Sequence, residues 1–564
     1  MGRIGNKGRR VILRITVALF VMLVIIIAFI VQRYTPTKAQ MDLTEYYGTH
    51  EVTKTPVIID EQIVDSDFFI EEDTVYLLAD TVSGMVNDEF YYDEGNGQML
   101  YTTPTSVAEI QADTMSVVID DETYESATAL LLFKDSTPYL NMEFVKAYTD
   151  IEYHTEASPD RLVIDAVWTD VQTATAKKEA QVRYKAGIKS PILVTLESGT
   201  AVRVLDKLDS WYQVRTESGV LGYVDQKQIT SPQEEVYDRS FTAPEFTNIS
   251  LDTPVIMAWH QVTNPDGNAA FAQTVEQAQG LNVISPTWFS VLNNQGEISS
   301  LVSADYVAQA HQRGIQVWGL IDNFSTDVDT QVLLASTQAR NAIITALMAQ
   351  AQANDLDGIN LDFESIPEEA GTDFVQFVRE LSAACRTNGL VFSIDNLVPA
   401  SFTEHYAREV QGKVADYVVV MGYDEYYSGS ESAGSVASLS WAEEGLANTI
   451  AAVPKEKVIF GIPFYTRLWK TTSGVLTSEA ISMSRAAELI SDKQDVTFFD
   501  SDAGQNYAEW EDGSDFYQVW MEDETSVKER VDLAQEYEAA GIGAWKIGLE
   551  TDGVWSIITD TMAD

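Results

Sequence analysis

Short apolar segments alternate with helical patterns from Pro254 onward, and this alternation constrains the fold more than any other feature of the sequence. Eight segments read as strands, namely VIMAWHQV, LNVISPTW, IQVWGLID, GINLDFE, LVFSIDN, DYVVVMGYDEYY, KVIFGIPFY and IGAWKIG. Helical patterns separate them, for example at Ala304–Gln312, Thr337–Asn354 and Gly371–Thr387. Eight strands alternating with helices over roughly 300 residues predict an α/β fold, the closed (β/α)8 or TIM barrel.

A doubly wound open sheet is the alternative, because it uses the same alternation. No glycine-rich phosphate loop follows any of the eight segments, which favours the barrel. The stretch between the seventh and eighth segments, roughly residues 470–540, is long and is expected to hold a small α+β insertion. We therefore expect residues 251–564 to form a barrel domain.

The fourth segment carries polar side chains inside an apolar run. In LDGINLDFESI, Asn360, Asp362 and Glu364 occupy alternate positions, so a strand sends all three to one face. Burying an amide and two carboxyls together is costly unless they are used or neutralised. Catalytic side chains of TIM barrels lie at the carboxyl ends of strands. With Glu364 as the last residue of its strand, the pattern predicts a terminal acid above a supporting carboxylate. An exposed strand with one polar side is the alternative.

Several stretches of this domain resemble glycoside hydrolase family 18, the chitinases and their relatives. DGINLDFE is similar to the family signature D-G-x-D-x-D-x-E, and MGYDEYY (Met421 to Tyr427) resembles its Met-x-Tyr-Asp stretch. GAWKIGLE (Gly543 to Glu550) carries Trp545, which matches the tryptophan that floors the sugar pocket. VISPTWFSVLNNQGEI and VWMEDETSVKERVDLA resemble the branch of spore-cortex and peptidoglycan N-acetylglucosaminidases. The resemblance covers about residues 250–560.

The resemblance implies roles for three residues. Glu364 would protonate the glycosidic oxygen, Asp362 would orient the substrate's 2-acetamido N–H, and Tyr423 would hydrogen-bond the acetamido carbonyl. The acetamido oxygen itself attacks the anomeric carbon in this family, so no second carboxylate is needed as the nucleophile. The further substrate-binding candidates are Trp545, Asn360, Asp424, Asn396 and Met421. Tyr423 and Trp545 as plain barrel-core aromatics are the alternative.

Asn360 departs from the family signature, which has an aspartate at this place. The peptidoglycan-acting branch commonly shows asparagine here, so the resemblance still implies an active enzyme. A neutral amide beside Asp362 removes one like charge and is expected to favour ionised Asp362. Burial and the charge of Asp362 are expected to raise the pKa of Glu364.

The N-terminal segment breaks the acidic character of the chain. Residues 1–10 are basic, and residues 11–32 approach the roughly 20 apolar residues that span a bilayer. Positive residues that precede such a span stay in the cytoplasm, so the later domains are expected outside the cell. A cleaved signal peptide is the alternative, but no A-x-A-like site follows. Residues 33–55 are expected to be a linker.

Two modules are expected between the anchor and the barrel. Residues 56–175 contain a weak repeat and loosely resemble the stalk-type α+β module first named in copper amine oxidases; we expect a spacer. Residues 178–230 resemble a small all-β bacterial Src-homology-3-like domain, on the evidence of Gly199, SWYQVRT and GVLGYV. Trp211 and Tyr223 are expected in its core rather than on a ligand surface. Residues 231–250 form the next expected linker.

Composition excludes several classes of protein. The formal net charge of −50, from 36 Lys and Arg against 86 Asp and Glu, argues against nucleic-acid binding and against charge-driven docking on anionic lipid. The single cysteine, Cys385, rules out an intramolecular disulfide and is expected in a helix core. No metal-ligand spacing appears, so we expect neither metal nor cofactor.

Three functions are compatible with these observations. The first is a membrane-anchored, extracellular hydrolase of N-acetylglucosamine-containing glycan, with peptidoglycan as the partner. The second is a non-catalytic glycan-binding surface protein that keeps the barrel. The third is a chitin or host-glycan hydrolase with the same chemistry. The wall-type modules favour the first over the third, and the intact Asp362, Glu364 and Tyr423 disfavour the second.

Overall fold

A computed structural model describes residues 6–50, 52, 54–120 and 122–563. The chain forms two compact units. The first comprises residues 1–88, 113–115 and 127–243, and the second comprises residues 89–112, 116–126 and 244–564.

The second unit contains a closed barrel of eight parallel strands. These are Val255–His260, Val283–Val291, Gln316–Asp322, Gly358–Asp362, Val391–Leu397, Tyr417–Met421, Val458–Pro463 and Gly541–Trp545. Each strand pairs with its neighbours in chain order, and the first also pairs with the eighth, which closes the sheet. The predicted (β/α)8 barrel is confirmed, and the open-sheet alternative is excluded.

Helices cover the outside of the barrel. They are Pro265–Ala269, Phe271–Thr274, Ala304–His311, Thr330–Leu334, Thr337–Asn354, Gly371–Thr387, Arg408–Val414, Leu439–Ala452, Glu524–Glu536 and Val554–Ala563. Ser336 caps the helix Thr337–Asn354 by accepting from the Ala339 N–H, and Asp355 ends it in the left-handed conformation. Cys385 is buried, as expected. The layer between strands and helices is apolar and includes Ile359, Leu361 and Phe363.

The insertion between the seventh and eighth strands is a small α+β element, as predicted. Its five antiparallel strands are Tyr465–Thr472, Val475–Ser482, Thr497–Asp500, Gln505–Asp512 and Asp515–Trp520. The helix Met483–Ile490 packs on one face of this sheet through Ala486 and Leu489.

A five-stranded antiparallel meander also belongs to the barrel unit. Its strands are Phe90–Asp93, Gln98–Thr102, Val107–Gln111, Ser116–Ile119 and Glu122–Glu125. They lie within the segment expected to be a stalk module, so that segment is divided between the two units. The Tyr91 hydroxyl donates to Asp373 at 2.7 Å, and Gln376 Nε2 donates to Thr102 at 3.0 Å. These bonds tie the meander to the helix Gly371–Thr387.

A buried ion pair joins the two longest barrel helices beneath the meander. Arg340 Nε and Nη2 donate to the Glu380 carboxylate at 2.8 Å and 3.0 Å, and neither side chain is exposed by more than 3%. Arg340 also donates to the Leu334 carbonyl and to Thr337. The guanidinium lies 5.0 Å from the centre of the Tyr91 ring. The pair is therefore well hydrogen-bonded, as a buried charge must be.

The first unit begins with a long apolar helix, Asn6–Tyr34. Its stretch from Arg9 to Tyr34 is one helix, among the described residues, that is long and apolar enough to cross a membrane. A signal sequence would have the same length and composition. Length and composition alone therefore do not distinguish a membrane anchor from a signal sequence.

The first unit continues with β-structure. Its first two sheets comprise Thr55–Ile59, Gln62–Ser66, Glu152–Glu156 and Arg161–Asp165, and Phe68–Glu71, Thr74–Leu78, Leu131–Lys134 and Thr137–Asn141. Its helices are Leu43–Gly48, Ala79–Thr81, Val82–Val86 and Met142–Tyr148. The two halves of the weak repeat pair with each other, since Leu77 lies opposite Leu140.

The remaining sheet of the first unit contains the Src-homology-3-like domain. Its strands are Gln172–Thr175, Ala180–Arg183, Ile192–Leu196, Ala201–Leu208, Trp211–Thr216, Leu221–Asp225 and Gln233–Glu234. Val182, Val214 and Val224 lie in its core, and Trp211 is buried. The all-β domain is confirmed.

The buried ion pair generates a stability prediction. Glu380→Gln leaves the Arg340 charge without its partner, and breaking a buried pair on one side costs about 3–5 kcal/mol. The exposed pair Lys528–Asp532, 2.6 Å apart on one helix, is the matched control. Asp532→Asn should cost only about 0.3–0.5 kcal/mol. Denaturant unfolding followed by tryptophan fluorescence measures both, and equal losses would contradict the structural role of the Arg340–Glu380 pair.

Candidate active site

The fourth barrel strand carries the centre of the site. Asn360 and Asp362 point into the barrel, because Asn360 contacts side chains from the first, second and fifth strands. The strand itself ends at Asp362, so Glu364 lies just beyond it rather than at its last position. Ser365 follows with a φ of 52°, which turns the chain away from the strand. The predicted face of Asn360, Asp362 and Glu364 is therefore present, with Glu364 at the mouth.

Asn360 is fully buried, and both the oxygen and the nitrogen of its side-chain amide form hydrogen bonds. Its Oδ1 accepts from Trp259 Nε1 at 3.0 Å and from the Ser285 hydroxyl at 2.9 Å. Its Nδ2 donates to Asp395 Oδ1 at 2.8 Å, and Trp259 Nε1 also lies 3.2 Å from Asp395 Oδ2. This network fixes the orientation of the amide and joins four strands of the barrel.

Asp362 is buried and incompletely bonded. Its Oδ1 has no hydrogen-bond partner among the residues that the structure describes, although Asp362 is only 6% exposed. Burial raises the pKa of Asp362 well above its usual value, and Asp395, Glu364 and Asp322 raise it further. We expected Asn360 to favour ionised Asp362, but burial first, and Asp395 second, act on the Asp362 pKa in the opposite direction.

Glu364 is held through its backbone. Its N–H donates to Asn323 Oδ1 at 3.0 Å, and Asn323 Nδ2 donates to its carbonyl at 2.9 Å. Burial is the largest cause that raises the pKa of Glu364, and the nearby carboxylates of Asp424 and Asp322 raise it further. The rise was expected, and Asp424 and Asp322 contribute to it in addition to the mutual repulsion between Glu364 and Asp362. A carboxyl with a raised pKa suits proton donation.

The fifth strand contributes a residue other than the expected one. Asn396 lies on the outer face, where it exchanges hydrogen bonds with Gln411 at 2.6 Å and 3.2 Å. It is not brought to the site, because successive residues of a strand point to opposite faces. Asp395 points inward instead and is fully buried. Burial raises the pKa of Asp395 to about 7.

The sixth strand and the residues after it form one side of the site. Tyr423 is 9% exposed, and Met421 lies in the same interior cluster. Asp424 has a φ of 65° and accepts a hydrogen bond from the Tyr465 hydroxyl, which lies at the start of the insertion. Asp424 also acts electrostatically on Glu364. The structure therefore brings Tyr423 and Asp424 to the site, with Met421 supporting them from within the barrel.

Aromatic side chains line the floor. Trp259 packs edge to face against Trp545, with ring centres 5.9 Å apart, and against Tyr423 at 6.4 Å. Trp259 donates a hydrogen bond to Asn360, so it connects the aromatic floor to the hydrogen-bond network around Asn360. Trp545 is half-buried and remains accessible on the site side of the eighth strand.

Sequence reasoning missed several residues of this site. Trp259, Ser285, Asp322, Asn323, Asp395 and Tyr465 all contact or act on the predicted residues. Asp322 ends the third strand, and the Ser290 hydroxyl donates to it at 2.9 Å. A polar residue at the carboxyl end of a barrel strand was the available signal for Asp322 and Asn323.

The arrangement has the parts of an acid-catalysed glycosidase. A carboxyl with a raised pKa stands at the mouth, a buried carboxyl with a free oxygen stands below it, and aromatic rings form an apolar floor. Residues 220–550 match the family described as glycosyl hydrolases family 18, and residues 178–230 match the bacterial SH3 domain. The chain belongs to glycoside hydrolase family 18 and is a glycoside hydrolase.

Individual relatives agree with this assignment. The uncharacterized glycosylase YvbX of Bacillus subtilis is 28% identical over 296 residues, which cover 49% of this chain and 84% of that protein. The cortical fragment-lytic enzyme of Bacillus anthracis is 28% identical over 247 residues, covering 42% and 57%. The crystal structure of the Bacillus cereus spore cortex-lytic enzyme SleL superposes with a TM-score of 0.50 at 20% identity, covering 65% of this chain and 90% of that one. The chain is related to spore cortex-lytic enzymes and chitinases.

Proposed function

We propose that this enzyme cleaves β-linked N-acetylglucosamine in peptidoglycan by a retaining, substrate-assisted mechanism. The observation that carries the proposal is the unpartnered Oδ1 of Asp362, a buried acceptor below Glu364. A buried acceptor without a donor is costly, so a ligand that brings an N–H group to it is favoured. The 2-acetamido group of the sugar carries such an N–H.

The first step breaks the glycosidic bond. The acetamido carbonyl oxygen attacks the anomeric carbon while the bond to the leaving oxygen breaks, and Glu364 gives its proton to that oxygen. Asp362 accepts the acetamido N–H and stabilises the positive charge of the oxazolinium ion. Water then attacks the anomeric carbon and gives its proton to Glu364, which restores the starting state. Two displacements at one carbon retain the β configuration.

Two aromatic residues complete the sugar pocket in this proposal. The Tyr423 hydroxyl donates to the acetamido carbonyl and orients it for attack. Trp545 offers an apolar ring face to the sugar, supported by its edge-to-face contact with Trp259. Burial raises the pKa of Tyr423 well above its usual value, so the phenol keeps the proton it donates.

Peptidoglycan is the substrate that the chain's organisation favours. A relative is named as a cortical fragment-lytic enzyme, and a bacterial SH3 domain precedes the barrel. Chitin and host glycans offer the same N-acetylglucosamine chemistry and are the competing substrates. If the enzyme cut chitin oligomers but left purified peptidoglycan intact, by mass spectrometry of the products, chitin would replace peptidoglycan in the proposal.

The apolar helix supports a location at the cell membrane. We infer that Asn6–Tyr34 spans the bilayer and that the domains from about residue 40 onward lie outside the cell. The basic residues before the helix support a cytoplasmic N-terminal end. An exported enzyme held at the membrane would meet the cell wall directly.

Two substitutions separate the roles of the acids. Glu364→Gln removes the proton donor, so cleavage of unactivated glycans should fall by about 10²–10⁴. An aryl glycoside with a good leaving group needs less protonation, and its cleavage should fall less. Asp362→Asn removes the charge that stabilises the oxazolinium ion, so its loss of about 10²–10³ should persist with the activated substrate. Steady-state rates of both variants on both substrates give the comparison.

The activity losses of the two variants on the two substrates show which acid has which role. If Asp362→Asn were rescued by the activated leaving group while Glu364→Gln were not, the two roles would be reversed. If neither variant lost activity, the catalytic acids would lie elsewhere in the barrel.

The membrane location is tested on cells. Protease added to intact protoplasts should digest the barrel, and carbonate washing should leave the N-terminal helix in the membrane fraction. Immunoblotting of the two fractions measures both results. Release of the full-length chain by carbonate would refute the anchor, and protection of the barrel from protease would refute the outward orientation.

A further inference from the structure

Asp395 is a buried acid for which the proposed mechanism has no role. It lies on the fifth strand, next to the fourth strand that carries Asp362. Leu361 pairs with Ile394, so Asp362 and Asp395 occupy the next positions along the two neighbouring strands. Both side chains point into the barrel, and Asp395 is only 2% exposed. The two carboxyls therefore form a buried pair.

The hydrogen bonds distinguish the two members of this pair. Asp395 receives one N–H from Asn360 at 2.8 Å and one from Trp259 at 3.2 Å. Donors of this kind favour the ionised form of a carboxyl. Asp362 Oδ1 receives no hydrogen bond from the described part of the chain. Two buried like charges side by side are costly, so above the Asp395 pKa of about 7 the pair still holds one proton, and the hydrogen bonds place that proton on Asp362.

This placement conflicts with what the substrate requires. Asp362 accepts an acetamido N–H and stabilises a positive charge best as a carboxylate. Its proton must therefore leave when the substrate arrives. The neighbouring Asp395 carboxylate is a base inside the same buried group, so the proton can remain within the pair.

We propose that Asp395 is a positioning residue for Asp362: it supplies from the fifth strand the acid that Asn360 lacks, and takes up the Asp362 proton when the acetamido group binds. The proton balance is internal, because protonated Asp362 and ionised Asp395 become ionised Asp362 and protonated Asp395. This inference rests on the proposed function and assigns the origin of the charge that the reaction uses.

Other titratable groups face the pair from the surrounding elements. Glu364 follows the fourth strand, Asp322 ends the third, Tyr423 follows the sixth, and Tyr406 ends the turn after the fifth. Trp259 and Ser285, from the first and second strands, are neutral. Lys546, after the eighth strand, acts on His260. These groups are unchanged when Asp395 alone is substituted, so a difference between variant and wild type isolates Asp395.

The pH dependence of kcat/KM tests the proposal. In the wild type, activity on the acid side begins once the pair has lost its first proton, from whichever carboxyl holds it less tightly. In Asp395→Asn, the proton on Asp362 must be lost to solvent before the substrate binds. The acid limb should therefore move to higher pH, by about one unit, the scale on which two sites titrate as a coupled pair. The full-length chain in detergent micelles and an aryl N-acetylglucosaminide serve as enzyme and substrate.

The direction of the shift separates the explanations. If Asp395 only repelled charge on Asp362, its removal would move the acid limb to lower pH. If it only supported the fold, the limb would stay in place while the melting temperature fell. Either result would overturn the proposal.

Two further variants act as rescue and control. Asn360→Asp combined with Asp395→Asn returns an acid to the group on the fourth strand, and the acid limb should return towards its wild-type position. Asn396→Ala removes a buried side chain on the outer face of the same strand, so it should lower stability without moving the limb. The double variant should be folded by circular dichroism. If its acid limb nevertheless stayed at the position found in Asp395→Asn, an acid at position 360 would not replace Asp395, and the proposal would be contradicted.

Proton counting gives a readout without turnover. An uncleavable, sulfur-linked N-acetylglucosamine tetramer is bound to the enzyme in buffers of different ionisation enthalpy, at about pH 8, where Asp395 with its pKa of about 7 is ionised, and calorimetry yields the protons released. The wild type should release none, and Asp395→Asn should release up to one. Equal release by the two proteins would refute the internal transfer. A wild type that cleaves no N-acetylglucosamine glycan would refute the proposed function instead, so the two failures are distinguishable.

Discussion

The hydrogen bonds of Asn360 hold together the polar interior on which the site depends. A barrel interior is normally filled with apolar side chains, and each buried carboxyl placed there loses its hydration. Asn360 offsets part of this cost, since it receives two hydrogen bonds and gives one to Asp395. An aspartate at the same place would put a further negative charge beside Asp395 and Asp362. The amide is therefore the residue that permits the fifth strand to carry an acid.

The surrounding scaffold keeps this costly interior in place. The outer side of the fourth strand presents Ile359, Leu361 and Phe363 to the helices, and Phe363 stacks on Phe377 with ring centres 5.4 Å apart. Gly358 permits the close approach of the fifth strand, because a Cβ there would lie 2.7 Å from the Val391 carbonyl oxygen. The fourth strand thus has an apolar side that packs against the helices and a polar side that carries the site residues. The same alternation of side chains produces both.

Local sequence was sufficient to predict the elements, because the signals that define them are local. The helix Thr337–Asn354 has its predicted bounds, set by the Ser336 cap and the turn at Asp355. The face shared by Asn360, Asp362 and Glu364 follows from the two-residue period of a strand. The choice of Asn396 over Asp395 failed because LVFSIDN is buried on both sides, so its pattern does not say which side faces inward. The membership of the meander of residues 90–125 in the barrel unit was missed, because the hydrogen bonds that join it to the helix Gly371–Thr387 span more than 200 positions.

The account rests on the acetamido group of the substrate acting as the nucleophile above Asp362. The most direct measurement is proton NMR of the first product released by the wild type from peptidoglycan glycan strands, recorded before the anomers equilibrate. The account predicts a new reducing-end N-acetylglucosamine in the β configuration. An α product would require direct attack by water, and cleavage that leaves a different sugar at the reducing end would place the reaction at another bond; either result would contradict the account.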